Sequence, residues 1–296
     1  MTIIAATRKI APLVRAAGRR WAARVWTMRT PLPAKLVLAG VLAAVVILGI
    51  RLIVPTPPAP GPAPGLAEIA AYDLEGVRAG GSVDAVFVDR VGTGLQDIAD
   101  TARRKGLFLR LMLPLILREN RHILEERKRV WRSRTAAIRD LYAHYGVREG
   151  DVATLRRRVD AVPPSLVLAQ AAIESGWGAS RFVDEANNFF GQHTYDDAVD
   201  GLVPAGGDGS FKVRHFRTIA ESVRSYLHNL NTHRAYTALR RARAAGRGDD
   251  LMPAGLALAR HLTSYSERRE DYVRAIEEVI RSNRLDDFDG ARLATR

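Results

Sequence analysis

Glu174 has the sequence setting that best suits acid chemistry in this 296-residue chain. A predicted helix ends before Gly176, and Glu174 lies in its last turn, at the edge of a face formed by Leu166, Gln170 and Ile173. Partial burial and the helix dipole both disfavour the charged carboxylate, so we expect a raised pKa. A carboxylic acid that is protonated near neutral pH can act as a general acid, for example toward a glycosidic oxygen. A surface glutamate that ends a helix has the same pattern, so Glu174 alone does not decide the chemistry.

The residues that follow Glu174 suit contacts with a sugar. Trp177 offers a flat apolar ring of the kind that stacks on sugar rings, and Asn187–Gly191 supplies amides and aromatic rings in a predicted loop. Each feature also has an ordinary structural explanation, because a tryptophan is usually part of a core and an Asn-Asn pair usually turns a chain. The arrangement of these residues is therefore more informative than any one of them.

The elements around these residues are predicted to be mainly helical. The Glu174 helix begins at Pro163-Pro164, and a strand is expected over Phe211–Phe216. Thr218-x-x-Glu221 resembles a capping box that opens the next helix. Two further helices are predicted around Leu256–Leu262 and Arg269–Ser282, which leaves one small β excursion in this half of the chain. Residues 66–150 also look mostly helical, with a β-like stretch at Val83–Val88.

The N-terminal part predicts a membrane anchor. Residues 1–51 contain nine of the 45 Lys and Arg residues and no acid, which leaves 36 basic against 32 acidic residues in the remainder. Residues 36–54 are apolar apart from Arg51 and are long enough to cross a ~30 Å hydrocarbon core. We expect an uncleaved single-pass helix in the inner membrane, with the basic tail (residues 1–35) cytoplasmic and the rest periplasmic; a cleaved signal peptide is the alternative. The positive charge is concentrated in the tail, so no nucleic-acid partner is expected.

Composition divides the exported part and excludes several site types. Residues 55–65 hold six prolines and predict an extended linker, followed by a helical N-terminal region (66–155), a catalytic domain (156–285) and a C-terminal tail (286–296). The chain has no cysteine, so it has no disulfide, thiolate metal site or cysteine nucleophile. We find no histidine pair at zinc-binding spacing and no cofactor motif, and we expect neither a metal nor a cofactor. The run Arg240-Arg241-x-Arg243 is interpreted as a solvated helix face.

Two runs of residues resemble a known family signature. Glu174-Ser175-Gly176-Trp177-Gly178-x-Ser180 is followed by Asn187-Asn188-Phe189-Phe190-Gly191. Together they resemble the signature of the bacterial N-acetylglucosaminidases of glycoside hydrolase family 73. Later segments, among them Tyr265-Ser266-Glu267-Arg268 and Tyr272-Val273, look most similar to the Bax branch of that family. The resemblance covers about residues 70–285.

The resemblance implies a fold, a reaction and site residues. The fold is a lysozyme-like α-helical domain with a small β-lobe, and the reaction is cleavage of the β-1,4 bond after N-acetylglucosamine in peptidoglycan glycan strands. Glu174 takes the position of the general acid, and Tyr265 that of a tyrosine that lines the site and assists catalysis; a tyrosine packed at a helix end is the alternative for Tyr265. We expect substrate contacts from Gln170, Trp177, Asn187, Asn188, Phe190 and Gly191.

One departure from the family pattern concerns the second carboxylate. Many members carry it in a Glu-Tyr pair on the β-lobe, whereas the lobe here offers only Asp196, Asp197, Asp200 and Asp208. An inverting enzyme needs the two carboxyl groups ~6.5–9.5 Å apart and a retaining one ~5–5.5 Å. The sequence assigns this role to none of the four aspartates. Assistance by the substrate's own 2-acetamido group would make a protein nucleophile unnecessary, so the stereochemical outcome stays open.

Two other functions fit the same residues. A lytic transglycosylase uses a similar fold and a single glutamate, and it would leave a 1,6-anhydro-muramyl end. A catalytically inactive wall-binding module is favoured by the missing Glu-Tyr pair. Protein partners are not indicated by the sequence.

Overall fold

The computed structural model describes residues 69–90, 94–133, 135–204, 209–248 and 253–294. All of them belong to one compact unit, Pro62–Arg296. The predicted basic tail (1–35), membrane helix (36–54) and proline-rich linker (55–65) lie outside the described residues. Within the described ranges, no helix has both the length and the apolar character that a bilayer crossing requires.

Helices dominate the described residues, as the sequence predicts. In chain order they are α1 (Leu74–Arg78), α2 (Thr101–Arg132), α3 (Arg139–His144), α4 (Val152–Arg158), α5 (Pro164–Ser175), α6 (Arg181–Ala186), α7 (Ile219–Thr232), α8 (Thr237–Gly246), α9 (Gly255–Ala259) and α10 (Arg269–Ser282). Short 3₁₀ turns occur at Thr135–Ile138, Arg234–Tyr236 and Leu285–Phe288. The strands β1 (His193–Thr194), β2 (Gly201–Leu202) and β3 (Lys212–Arg214) form an antiparallel sheet in the order β1-β3-β2, which we call the β-lobe.

The long helix α2 is the main scaffold of the N-terminal region. Its N-cap is Asp100, whose carboxylate accepts hydrogen bonds from the backbone N–H groups of Ala102 and Arg103. The apolar residues of the run Leu107–Leu117 are buried in the helix. The helix continues through Pro114, although proline cannot donate the backbone hydrogen bond at that position. Burial of the surrounding apolar side chains offsets this local loss.

A single apolar core joins α2 to the helices that carry the predicted site. Helix α2 packs against α5 and α7, and the core includes Met112 and Ile116 of α2 together with Leu166 of α5 and Val223 of α7. The buried residues from Ile69 to Leu117 therefore pack into the same core as the segment after residue 155, whereas those from Val130 to Leu155 form a second, smaller cluster with Val159. The described part of the C-terminal tail, residues 286–294, contributes to this core as well, through Phe288 and Leu293.

The ends of α5 and α7 follow from local sequence. Pro164 occupies the first turn of α5, and Gly176 ends the helix in the left-handed region at φ 58°. Thr218 caps α7, and its hydroxyl accepts a 3.2 Å hydrogen bond from the N–H of Glu221. The carboxylate of Glu221 accepts the backbone N–H of Arg217 and not that of Thr218. The predicted capping box is thus present with its second half displaced by one residue.

Two local predictions are wrong. Val83–Val88 is not a strand, because its only ladder contact in the described residues is a single bridge from Val83 to Leu293. The arginine run is not a solvated face, since Arg240 and Arg243 are buried. Both guanidinium groups donate to backbone carbonyls near helix ends, which have no partner within their own helices. The acceptors include Arg157 and Asp160 for Arg243, and Leu230 and His233 for Arg240.

Candidate active site

Glu174 lies one residue before the end of α5, and its side chain is half-buried. Burial raises the pKa of this carboxyl above its ordinary value, while a hydrogen bond from Tyr272 and the positive charge of Arg268 lower it. Burial is the largest of the three effects, so the net direction is upward. The raised pKa predicted from the sequence is found. The carboxyl therefore holds its proton to a higher pH than an exposed glutamate does.

A chain of hydrogen bonds fixes one carboxyl oxygen of Glu174. The hydroxyl of Tyr272, on α10, donates to Oε1 of Glu174 at 2.7 Å. The side-chain amide of Gln170, one turn before Glu174 on α5, donates to the Tyr272 oxygen at 3.1 Å. The hydroxyl of Tyr226, on α7, donates in turn to Oε1 of Gln170. Three helices thus determine the orientation of the acid.

Gly191 lies against the other oxygen of the same carboxyl group. A Cβ atom added to Gly191 would be 3.3 Å from Oε2 of Glu174, and the glycine has φ +62°. The left-handed backbone and the close approach both favour a residue without a side chain. One carboxyl oxygen is therefore held by Tyr272, and the other faces the loop that leads into the β-lobe.

The two predicted asparagines shape this loop. Asn187 adopts φ 50° at the end of α6, and its amide donates to the carbonyl of Phe216 at 2.7 Å. The amide of Asn188 donates to the carbonyls of Gln192 and Arg214, and its Oδ1 accepts the N–H of Gln192. Both side chains are buried. Their contacts in the structure are with the backbone, so the asparagines position the loop; direct contact with a substrate stays a prediction.

Phe190 and Tyr265 pack around the hydrogen-bond chain. The ring of Phe190 stacks on Tyr226 with centroids 4.0 Å apart, and the ring of Tyr265 stacks on Tyr272 at 5.4 Å. The hydroxyl of Tyr265 donates to the carbonyl of Phe190 at 3.1 Å. Burial raises the pKa of Tyr265 well above its usual value, and the charge of Glu174 acts in the same direction. Tyr265 therefore lies at the site, where its ring contacts Tyr272, the residue that is hydrogen-bonded to Glu174.

Trp177 lies next to the acid in sequence and contacts α2. Its ring meets Phe108 edge-on with centroids 5.4 Å apart, and Nζ of Lys105 lies 4.6 Å from the ring centre. The same Phe108 lies 6.1 Å from the ring of Phe189, so it contacts both runs of the family signature. These contacts give Trp177 a packing role. Stacking of a sugar on Trp177 stays a prediction.

The described aspartates of the β-lobe are all exposed and are partly engaged in local contacts. Asp200 lies 2.6 Å from Nδ1 of His215, and this hydrogen bond holds the pKa of Asp200 below its usual value. Asp196 accepts the N–H of Ala198, and Asp197 lies 3.9 Å from Nζ of Lys212. Asp208 lies outside the described residues. In the part of the chain that the structure describes, no group of three metal-ligating side chains is arranged to hold a metal ion.

The sequence did not indicate the roles of Tyr272 and Tyr226. Tyr272 belongs to the segment that resembles the Bax branch, yet no local pattern shows that its hydroxyl reaches Glu174. The sequence signal for this hydrogen-bond chain was the spacing of Gln170 and Glu174. They are four residues apart, which places both side chains on the same side of α5. Their common partner lies on another helix and becomes visible only in the folded chain.

Comparison with known proteins finds a family and a relative that resemble this chain. The glucosaminidase family, described as mannosyl-glycoprotein endo-beta-N-acetylglucosaminidase, matches residues 151–285. Protein bax of Escherichia coli (strain K12) is 33% identical over an alignment of 185 positions, and the match covers 57% of this chain and 66% of that relative, just under two thirds of its length. No solved structure gives a significant match. Residues 151–285 are therefore similar to a glucosaminidase domain, which points to glycosidase activity, and the chain is similar to Protein bax over part of its length.

Proposed function

We propose that the chain is a peptidoglycan hydrolase that cleaves the β-1,4 bond after N-acetylglucosamine, with Glu174 as the general acid. The observation that carries the proposal is the half-buried carboxyl of Glu174, with its raised pKa, between the hydroxyl of Tyr272 and the Gly191 loop. The family match to a glycan-cleaving domain supports the choice of substrate class.

The proposed reaction needs one proton donor and one nucleophile. Protonated Glu174 gives its proton to the glycosidic oxygen as the bond between that oxygen and the sugar C1 breaks, and the bonding electrons leave with the oxygen. The carbon is attacked either by water or, first, by the oxygen of the substrate's 2-acetamido group. In the second case water then opens the cyclic intermediate. In that second case Glu174, now a carboxylate, accepts the proton that the water loses. Direct attack by water on the opposite face of the sugar would instead need a second carboxylate as the base.

Substrate assistance is the route that we favour for the second step. The described aspartates of the β-lobe are exposed, and Asp200 is held in a close contact with His215. An exposed carboxylate is a poor match for the buried, preorganised nucleophile of a retaining glycosidase, and Asp200 already has a hydrogen-bond partner in His215. The 2-acetamido group is present on every N-acetylated sugar of the proposed substrate.

The proposal includes a location. The acid-free basic tail and the apolar residues 36–54 support a single-pass anchor in the inner membrane, with the catalytic domain in the periplasm. A reporter that is active only in the periplasm, fused after Arg296, tests this orientation. Activity of a cytoplasm-only reporter at the same position would contradict it.

Mass spectrometry of sacculi digested with the purified full-length chain tests the reaction. New reducing ends on N-acetylglucosamine support the proposal, and 1,6-anhydro-muramyl ends would identify a lytic transglycosylase. Release of no soluble fragments by a folded protein that binds sacculi would identify a wall-binding module. The Glu174→Gln variant is the negative control in this experiment.

A further inference from the structure

The C-terminal end of α2 carries an exposed tryptophan beside two arginines. Trp131 is 54% exposed, whereas Trp177, the other tryptophan in the described residues, is half-buried. The guanidinium carbon of Arg156, on α4, lies 4.1 Å from the centre of the Trp131 ring, and that of Arg127 lies 5.6 Å away. Cations are attracted to the negative face of an indole, so both contacts help to hold the ring in place. We call Arg127, Trp131 and Arg156 the basic-aromatic end of α2.

The contacts beneath this surface are fixed by the fold. Arg127 donates to the backbone carbonyls of Arg156 and Val159 at 3.0 and 3.1 Å, which joins α2 to α4. Val130, next to the tryptophan, is buried in the second apolar cluster with Leu155 of α4. A ring on such a support loses little conformational freedom when it meets a partner. The surface is therefore preorganised for contact.

The positive charge of the chain after residue 51 is concentrated around this end. Residues 121–160, which form the second half of α2 with α3 and α4, contain 11 Lys and Arg residues and 6 Asp and Glu residues. After residue 51 there are 36 basic and 32 acidic residues, so the rest of that part holds 25 basic and 26 acidic residues. Arginines in the last turn of α4 also suit its helix dipole. That effect accounts for charge at a helix end but not for an exposed tryptophan among the charges.

Ion pairs neutralise only part of this charge. The pairs are Lys128 with Glu125, Arg129 with Asp140, and Arg127 with the buried Asp160. In the described ranges, Arg132, Arg156 and Arg157 have no carboxylate within ion-pair distance. The surface around Trp131 therefore keeps a net positive charge, which favours an anionic partner.

The basic-aromatic end is remote from the candidate acid. Phe108 of α2 contacts Trp177, just after α5, and Asn120 of α2 exchanges hydrogen bonds with Val162, just before α5. The two helices thus run antiparallel, with the acid near the Phe108 level of α2. Trp131 follows Phe108 by 23 residues, which is roughly 35 Å along a helix. A partner at Trp131 is therefore not bound in the cleft that contains the acid.

An indole ring among basic side chains suits the headgroup region of a membrane that contains anionic lipids. Tryptophan favours this region because its ring is apolar and its N–H is polar, and lipid phosphates attract the basic side chains. We propose that the basic-aromatic end of α2 docks on the anionic lipid surface of the membrane in which the chain is proposed to be anchored. This inference rests on the proposed location and not on the proposed hydrolysis. Docking in this way directs the Glu174 end of α5 away from the bilayer, toward the wall.

The length of chain before the described residues permits this orientation. Residues 55–68, between the predicted membrane helix and the first described residue, can span at most roughly 50 Å. Near the start of the described chain, the carbonyl of Tyr72 accepts a hydrogen bond from Arg110 of α2. Arg110 precedes Trp131 by 21 residues, or roughly 32 Å of helix. The connection is therefore long enough for the opposite end of α2 to lie on the bilayer.

The test uses the absence of cysteine from the chain. One cysteine is introduced into the full-length protein, at Ala137, which is exposed beside the end of α2, or at Glu185, which is exposed on α6, and is labelled with a donor dye. Each protein is reconstituted into vesicles of phosphatidylcholine, alone or with phosphatidylglycerol, that carry an acceptor dye on the headgroups. We expect phosphatidylglycerol to raise energy transfer from the Ala137→Cys label only. High salt should reverse the rise, because it screens the charges.

Substitutions at the surface identify the side chains responsible. Combined with the Ala137→Cys label, Trp131→Ala and Arg156→Ala should each remove at least half of the rise, since one basic side chain near an anionic surface strengthens binding about fivefold. Arg281→Ala removes an exposed arginine of α10 and is the matched control. Thermal melting of each variant checks the fold.

The outcomes separate docking from the proposed location. If both vesicle types retain the protein and phosphatidylglycerol changes neither label, docking is wrong and the anchor stands. If phosphatidylcholine vesicles do not retain the protein but vesicles with phosphatidylglycerol do, and Trp131→Ala abolishes this retention, docking stands and the anchor fails. Binding to sacculi that depends on Trp131, without any effect of phosphatidylglycerol, would assign the surface to the wall and overturn the membrane proposal.

Discussion

The hydroxyl of Tyr272 donates a 2.7 Å hydrogen bond to Oε1 of Glu174, a residue 98 positions earlier in the chain. Its oxygen also accepts the amide of Gln170, so the hydroxyl hydrogen is directed toward Glu174. A hydrogen bond to a carboxylate favours the charged form, and here it opposes the larger effect of burial. The contact therefore sets both the orientation and the proton affinity of the proposed acid.

Glu174→Gln should abolish most of the hydrolysis without unfolding the chain. The amide keeps the shape and much of the hydrogen bonding but has no proton to give, so we expect a ~10²–10⁴-fold loss in rate. Turbidity clearing of purified sacculi measures the rate, and circular dichroism checks the fold. Glu185→Gln changes an exposed carboxylate on α6 and is the matched control. A folded Glu174→Gln protein that clears at more than about a tenth of the wild-type rate would remove Glu174 from the role of acid.

Tyr272→Phe should shift the pH profile of hydrolysis. It removes the hydrogen bond that lowers the pKa of Glu174, so the acid should stay protonated to a higher pH. The rate falls as the acid loses its proton, and we expect this fall to move to higher pH in the variant, together with a lower maximal rate. Tyr265→Phe keeps Tyr272 intact and should leave the position of the fall unchanged. If Tyr265→Phe moves the fall to higher pH and Tyr272→Phe does not, then Tyr265 and not Tyr272 lowers the pKa of Glu174.

Glu174 should also make the folded chain less stable at higher pH. Because the folded-state pKa is raised above the ordinary 4.5, the stability linked to this proton is complete below the unfolded pKa and is lost as pH rises through the folded one. The Glu174→Gln variant has no titratable proton at this position, so its stability does not show this pH-dependent loss. The difference in melting temperature, variant minus wild type, should therefore become more positive as the pH is raised from below 4.5 into the neutral range. A difference that is constant across this range would contradict a raised pKa at Glu174.

Gly191 and Gly176 form a matched pair for testing the approach of the loop to the acid. Their φ values are +62° and +58°, so replacement by alanine costs each backbone roughly 1–2 kcal/mol. Only at Gly191 does the added Cβ meet Oε2 of Glu174, whereas nothing lies within 4 Å at Gly176. We expect similar losses of thermal stability and a loss of hydrolysis only for Gly191→Ala. Equal activity of the two variants would show that the loop can move away from the carboxyl.

Asp200→Asn tests whether the β-lobe supplies a second carboxylate. Asp200 is exposed and paired with His215, so we expect hydrolysis within about threefold of wild type. Loss of a true catalytic carboxylate would cost about a hundredfold or more. Kinetics on sacculi, with Asp197→Asn measured in parallel, decides the point. A hundredfold loss confined to a folded Asp200→Asn protein would assign the second role to Asp200 and exclude our preference for substrate assistance.

Elements with local signals could be predicted from the sequence. Helix α5 begins at a proline pair and ends at Gly176, and α10 occupies Arg269–Ser282, as its apolar spacing indicates. Glu174 could be singled out in the same way, because its helix position and the signature after it are both local. Burial raises the pKa of Glu174, as its helix position predicts, while its role as the acid stays a prediction.

Features that depend on distant contacts could not be predicted. The hydroxyl of Tyr272 meets Glu174 only when α10 packs on α5. Arg243 has the sequence setting of a surface arginine, yet it is buried because carbonyls at the end of α4 and after it need donors.

Phe108 of α2 has a consequence for how the chain can be divided. It packs against Trp177 and Phe189, and a side chain at Gly178 would collide with Leu95 and approach Phe108. A recombinant fragment that starts at residue 151, where the family match starts, loses these supports and exposes the side of the core that α2 covers. Such a fragment would contain every residue of the signature and still fail to hold it in shape. The smallest unit worth expressing, crystallising or screening for inhibitors therefore begins before α1.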